Sequence, residues 1–126
     1  MPNLGHSKAF SSFATNDVPA TKAFYAETLG LEVTEENGLL NLHLGGGSNV
    51  LVYPKDNHEP ATYTVLNFPL ADIETAVDAL AASGIEFERY EGTGQDERGI
   101  AREFGPPIAW FKDPAGNILA VLEDNS

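Results

Sequence analysis

The stretch Asp17–Gly38, DVPATKAFYAETLGLEVTEENG, has a second copy in Asp72–Gly92, DIETAVDALAASGIEFERYEG. Each copy reads as an Asp-capped helix, a glycine stop and a strand that opens Gly-Leu-Glu-Val in one case and Gly-Ile-Glu-Phe in the other. The copies lie about 55 positions apart, near the upper end of the periods that mark repeated supersecondary units, so each half is one module packed against its twin. A cleft between the halves is then the natural place for a functional site.

Working outward from the first copy, Lys8–Thr15 (KAFSSFAT) places Phe10 and Phe13 on opposite parities, so a strand here presents one ring to each face. Asn16 or Asp17 caps the helix, Pro19 is tolerated in its first turn, and Gly30 supplies the left-handed stop. The helix is expected to run to about Leu29, with Val18, Tyr25 and Leu29 on a stripe facing a sheet and Lys22 and Glu27 outward. Short strands follow at Leu31–Thr34, Leu39–Leu44 and Asn49–Tyr53. The last two are separated by Gly45–Gly47, which lacks the Gly-Lys-Ser/Thr ending of a phosphate loop and is read as a hairpin turn.

Pro54–Pro60 (PKDNHEP) is polar and proline-bounded, the expected linker between the modules. Beyond it, Ala61–Phe68 reads as a strand rich in β-branched and aromatic residues, and the helix after Asp72 puts Ile73, Val77, Leu80 and Ala81 on one stripe before Gly84 ends it. Pro106–Lys112, the turn Asp113–Asn117 and Ile118–Glu123 complete two more strands, so that residues 39–53 align with 107–121 position by position. The expected fold is α+β: two tandem βαβββ modules, about 8–54 and 61–123, in a single domain spanning 1–126. Glu91–Gly105 breaks the symmetry with some fifteen residues where the first module has a tight turn, and loops of that length tend to be functional or mobile.

Composition bounds the function. Seven basic against nineteen acidic residues give a net charge of −12, which disfavours nucleic acid and anionic membranes as partners. No apolar run approaches the ~18 residues needed to span a bilayer, and Met1–Lys8 carries no signal-peptide-like stretch, so the chain reads as cytoplasmic. The absence of cysteine removes disulfides, zinc-thiolate sites and thiol nucleophiles together. Ser11 and Ser12 have no histidine–acid partner nearby in sequence, so covalent catalysis finds little support.

Two motifs resemble a known family. Phe24-Tyr25-Ala26-Glu27-Thr28-Leu29-Gly30-Leu31 is similar to its Phe-Tyr and Leu-Gly-Leu helix signature, and Asp113-Pro114-Ala115-Gly116-Asn117 to its Asp-Pro-x-Gly-Asn turn. The family is the vicinal oxygen chelate superfamily, which includes glyoxalase I, extradiol dioxygenases, methylmalonyl-CoA epimerase, and fosfomycin- and bleomycin-resistance proteins. The resemblance covers about residues 8–123. It implies a concave, curved mixed sheet with the helices on its outer face, and for chains of this length a homodimer. It also implies one divalent ion held by His, Gln or Glu from both modules. Carried over by position, those ligand sites fall on Phe10, Val65 and Ala120, with a first-module counterpart close to Val52. All are apolar, and a slip of one residue to Ser11, Thr64 and Val121 supplies no chelating set either. No metal and no cofactor is therefore expected.

The histidines do not restore an ion site, since His6, His43 and His58 share no ligand-like spacing. His43 shares a strand face with Asn41 opposite Leu40, Leu42 and Leu44, and has two readings, a cavity-lining residue or a half-exposed strand residue. Trp110 is either a core aromatic under a helix or a flat stacking platform; Tyr53 and Tyr63 are either strand-face packing or cleft walls. Arg98 and Arg102 in the long loop either select an anionic or carboxamide ligand or belong to a solvated loop, and Glu123 reads as a solvated strand end. The candidate ligand-binding set is Phe10, Ser12, His43, Tyr53, Tyr63, Val65, Asn67, Arg102, Trp110 and Ala120. The function expected is binding of an aromatic or amphipathic small organic molecule between the modules. The alternative is a lyase, isomerase or dioxygenase of the same superfamily, metal-dependent or using His43 or Tyr63 as acid–base group.

Overall fold

The computed structural model describes residues 4–103 and 105–124, and the chain divides into two compact units, Met1–His58 and Glu59–Ser126. In the first unit, β1 (Ser11–Thr15), α1 (Val18–Ala23), β2 (Glu32–Glu36), β3 (Leu39–His43) and β4 (Asn49–Pro54) form a four-stranded sheet in the order β1-β4-β3-β2. β1 runs parallel to β4, and β2–β3–β4 is an antiparallel meander. Asp17 caps α1 by accepting the Ala20 N–H at 3.1 Å. The helix does not continue as α to Leu29: Phe24–Thr28 is π-helical, with Leu29 N–H reaching back to the Phe24 carbonyl. Leu31 N–H then bonds to the Tyr25 carbonyl across Gly30, whose φ of 75° only glycine adopts without strain.

Tyr25 is fully buried with its ring centroid 6.0 Å from that of Phe13, which fixes the helix-bearing face of this sheet. That face also carries Leu40, Leu42, Val50 and Val52, all buried, because β-strand side chains alternate and the register aligns Phe13 with Val52 and Val52 with Leu40. The other face bears no helix.

In the second unit β5 (Thr64–Leu70), α2 (Ile73–Ala82), β6 (Ile108–Lys112) and β7 (Ile118–Glu123) build a three-stranded sheet, β5-β7-β6, with β5 parallel and β6 antiparallel to β7. Asp72 caps α2 through the Thr75 N–H and hydroxyl. Ile73 and Val77 are buried as the stripe predicts, whereas Ala81 is exposed. Glu123, expected as a solvated end, accepts the Ile73 N–H at 3.3 Å, placing a carboxylate at the positive end of α2. The α2-bearing face holds Leu66, Ala109, Phe111, Leu119 and Val121, all buried.

One predicted strand does not form a regular ladder. Residues 85–90 run beside β6, joined to it by the Glu88 N–H to Trp110 carbonyl bond of 2.8 Å, while the Glu88 carbonyl and both backbone polar groups of Tyr90 are met by side chains of the long loop. The Gln95 amide bonds to both Tyr90 N–H and the Glu88 carbonyl, and the Arg89 guanidinium donates back to the carbonyls of Asp96 and Glu97. The turn Asp113–Asn117 is closed by Asp113, whose carboxylate accepts from the N–H groups of Ala115 and Asn117 and from the Asn117 amide.

Candidate functional site

The helix-free faces carry most of the predicted site residues, and each unit presents its own set. In the first unit, Ser12 aligns with Leu51 and Leu51 with Asn41, forming one cross-strand row; Ala14 and Tyr53 form the next. Phe10, two residues before Ser12, is 67% exposed, and Tyr53 is 37% exposed. His43 lies on this face too, with its Nε2 2.9 Å from the Thr34 hydroxyl on the neighbouring strand, and is half-buried.

In the second unit the equivalent row is Asn67, Ala120 and Trp110. The register therefore matches Leu51, not Val52, with Ala120, and Asn41 with Trp110. This is one residue off the alignment of residues 39–53 with 107–121, and in a strand a slip of one moves a side chain to the opposite face. Val52 is a core residue under α1, and the position equivalent to Ala120 is Leu51. The correction does not create a metal site, because Phe10, Leu51, Val65 and Ala120 offer no oxygen or nitrogen donor. Among the described residues no three His, Asp or Glu side chains form a group that could hold an ion. The residues present do not fit the divalent ion that the resemblance implies.

Trp110 is on the helix-free face, not under α2, since its neighbours Ala109 and Phe111 take the buried positions. Its ring meets that of Tyr90 edge-on, centroids 5.2 Å apart and planes at 70°. Beside it Ile108 and Leu122 face each other across β6 and β7, and Ala101 pairs with Ile108 through two backbone bonds of 2.8 and 3.0 Å. Ala101, Pro106, Ile108, Trp110 and Leu122 enclose an apolar pocket of about 230 Å³. Burial, with help from the Glu88 charge, raises the Tyr90 phenol above its ordinary value, so it stays protonated. Glu88 is paired with Lys112 at 3.5 Å.

Arg102 is positioned elsewhere. Strand-like alternation directs Ala101 to the pocket and Arg102 to the α2 side, where it pairs with Glu74 at 3.2 Å and Asp96 at 3.5 Å. Arg98 likewise bonds to Asp78 and Glu74. Burial works to raise the Asp96 carboxyl, but the N–H groups of Ile100 and Arg98, together with Arg102, outweigh it and hold that group below the usual carboxylate range. Both arginines thus fasten the long loop to α2. Val65 sits at a register shift between Thr64 and Leu66, and Tyr63, just ahead of β5, is 69% exposed. Sequence reasoning missed Tyr90, Gln95, Ala101, Ile108 and Leu122. Ile108 and Leu122 were within reach, since each lies two residues from a candidate, Trp110 and Ala120, on one strand face; the others depend on pairings between distant segments.

A family model described as the Glyoxalase/Bleomycin resistance protein/Dioxygenase superfamily matches residues 8–121. No curated protein matches the chain in sequence. Among solved structures, a glyoxalase family protein from Enterococcus faecalis is 26% identical with a TM-score of 0.69, covering 94% of this chain and 98% of that one. The fosfomycin resistance protein FosX from Listeria monocytogenes superposes with a TM-score of 0.71 at 12% identity, over 94% and 93% of the two chains. TnmS3, an antibiotic binding protein from Streptomyces sp. CB03234, gives 0.68 at 17% identity, over 94% and 97%. The last two likenesses establish shared fold alone.

Proposed function

The chain belongs to the Glyoxalase/Bleomycin resistance protein/Dioxygenase superfamily, and from that premise we propose that it is a small-molecule-binding member that works without a metal ion and takes an aromatic or amphipathic ligand. The observation that carries this reading is the apolar pocket on the helix-free face of the second unit, with Trp110 braced by Tyr90 on one side and aliphatic groups on the other. An aromatic wall in an apolar pocket suits a planar ring, because stacking gains area and direction together. At about 230 Å³ the pocket is smaller than the ~300–1,000 Å³ that engulfs a drug-sized ligand, so it fits one ring system with the rest of the molecule outside. Asn67, on the same face, is exposed and can orient that remainder by hydrogen bonding. The apolar residues at the four positions where the superfamily's ion would be held support binding over polarisation of the ligand. That TnmS3, of the same fold, is an antibiotic binding protein makes an antibiotic a reasonable first ligand class.

The chain has one tryptophan, which makes the test direct. N-phenyl-1-naphthylamine, a neutral aromatic probe, is expected to quench Trp110 emission along a saturable curve. Followed by the probe's own emission, Trp110→Ala is expected to weaken that binding by roughly 10-fold, equivalent to ~1.4 kcal/mol. In the same experiment nickel, zinc, iron and manganese should leave the melting temperature unchanged, since only a ligand of the folded state raises it. Absence of saturable quenching sinks the binding reading. Stoichiometric metal with a marked rise in melting temperature sinks the metal-free part of it.

A further inference from the structure

We propose that Gln95 is the positioning residue of this pocket: its side-chain amide stands in for a missing strand and holds both the Tyr90 and the Ala101 segments in place. The inference rests on the pocket reading above. In a parallel sheet a residue's peptide donates to one carbonyl and accepts from an N–H two residues further along the neighbouring strand. Gln95 reproduces that pattern around Arg89, with Nε2 donating to the Glu88 carbonyl at 2.7 Å and Oε1 accepting the Tyr90 N–H at 2.6 Å. The second Nε2 hydrogen goes to the Gly99 carbonyl at 2.9 Å, and the Thr93 hydroxyl lies 3.0 Å from Oε1. The single Thr93 hydroxyl proton is shared with the Tyr90 carbonyl, 2.7 Å away, so both amide hydrogens and one acceptor site of Gln95 are fully used, and only one orientation of the amide suits them.

The backbone of Gln95 acts on the other side of the pocket. It bridges to Ala101, which in turn bridges to Ile108 on the free edge of β6. One residue therefore ties the segment that carries Tyr90, and so braces Trp110, to the segment that supplies Ala101. A polar hub in a half-buried setting is sensitive to losing the amide, because each orphaned carbonyl or N–H then carries its desolvation cost.

The full-length protein tests this with two near-isosteric variants. Gln95→Glu keeps the acceptors but, when ionised, turns a carboxylate toward the Glu88 and Gly99 carbonyls. Gln95→Met keeps the volume and removes every side-chain hydrogen bond while leaving the backbone bridge to Ala101. At about pH 8 both variants are expected to bind N-phenyl-1-naphthylamine at least 10-fold more weakly than wild type and to shift Trp110 emission in the free protein, while the helical circular dichroism is retained. Lowering the pH to about 5 should restore part of the affinity of Gln95→Glu alone, because a protonated carboxyl regains one donor. Glu88, Arg89, Asp96, Glu97, Glu103 and Lys112 surround this position in all three proteins, so wild type and Gln95→Met control for them. A merely structural role predicts no such recovery. Wild-type affinity and Trp110 emission in Gln95→Glu at pH 8 overturn the proposal; should that variant fail to fold, retention of affinity within about 2-fold in Gln95→Met overturns it instead. If wild type itself shows no saturable binding, the pocket reading fails, and the Trp110 emission of the free variants still decides the role of Gln95.

Discussion

Asp72 shows how a single side chain links helix formation to pH. Its carboxylate accepts from the Thr75 hydroxyl at 2.8 Å and the Thr75 N–H at 3.2 Å, and these bonds, the hydroxyl first, hold its carboxyl below the ordinary value. A group whose folded value is depressed contributes stability above its unfolded value and loses that contribution as the pH falls through the folded one. Asp72→Ala is therefore expected to melt below wild type at neutral pH, with the difference closing in acid below the usual carboxylate range. Paired thermal melts from about pH 7 to pH 2.5 check this. A difference that stays constant across that range would show that the cap acts through shape and not through its charge.

At the scale of an element, β6 divides its labour by alternation. Phe111 is 1% exposed on the α2 side, where the Phe87 ring meets it at 5.8 Å, whereas Trp110 faces the pocket and is half-buried. Phe111→Ala should cost about 3–5 kcal/mol of stability, the range for a large aromatic removed from a core. Trp110→Ala should cost clearly less while carrying the loss of probe binding. Urea unfolding of both variants measures the contrast; equal destabilisation would place Trp110 in the core as well. The same strand shows what the sequence made legible. Asp caps, glycine stops and period-two runs are local signals, and they located both helices and most strands, with Ile118–Glu123 matching to the residue. Two features depended on partners far along the chain. The slip that exchanges Val52 for Leu51 is invisible locally because both are apolar and β-compatible. The fate of residues 85–90 was set by Gln95 and Arg89, whose bonds to the loop no periodicity announces. For the site, Trp110 and Asn67 were found because residue type and strand parity are both readable; Tyr90 and Ala101 reach it through non-local pairing.

At the scale of the whole molecule, the governing quantity is the charge of −12. Thirteen of the nineteen acidic residues lie in 59–126 with four of the seven basic ones, so self-repulsion is concentrated in the unit that bears the pocket. Ion pairs such as Arg98–Asp78 and Lys22–Glu35 offset some of it, but their side chains are 40–59% and 39–47% exposed. Exposed pairs of this kind contribute only ~0–1 kcal/mol each. Salt weakens both the attraction and the repulsion, and with a net charge of −12 the repulsion outweighs the attraction. Screening shortens from ~30 Å at 0.01 M to ~8 Å at 0.15 M, which removes most long-range repulsion while leaving close pairs partly intact. The melting temperature is therefore expected to rise by a few degrees as sodium chloride increases from 10 to 150 mM at pH 7, and Arg98→Ala to make that rise steeper by adding one more uncompensated charge. A fall in melting temperature over the same range would mean that the arginine fastening of the loop onto α2 outweighs the net repulsion.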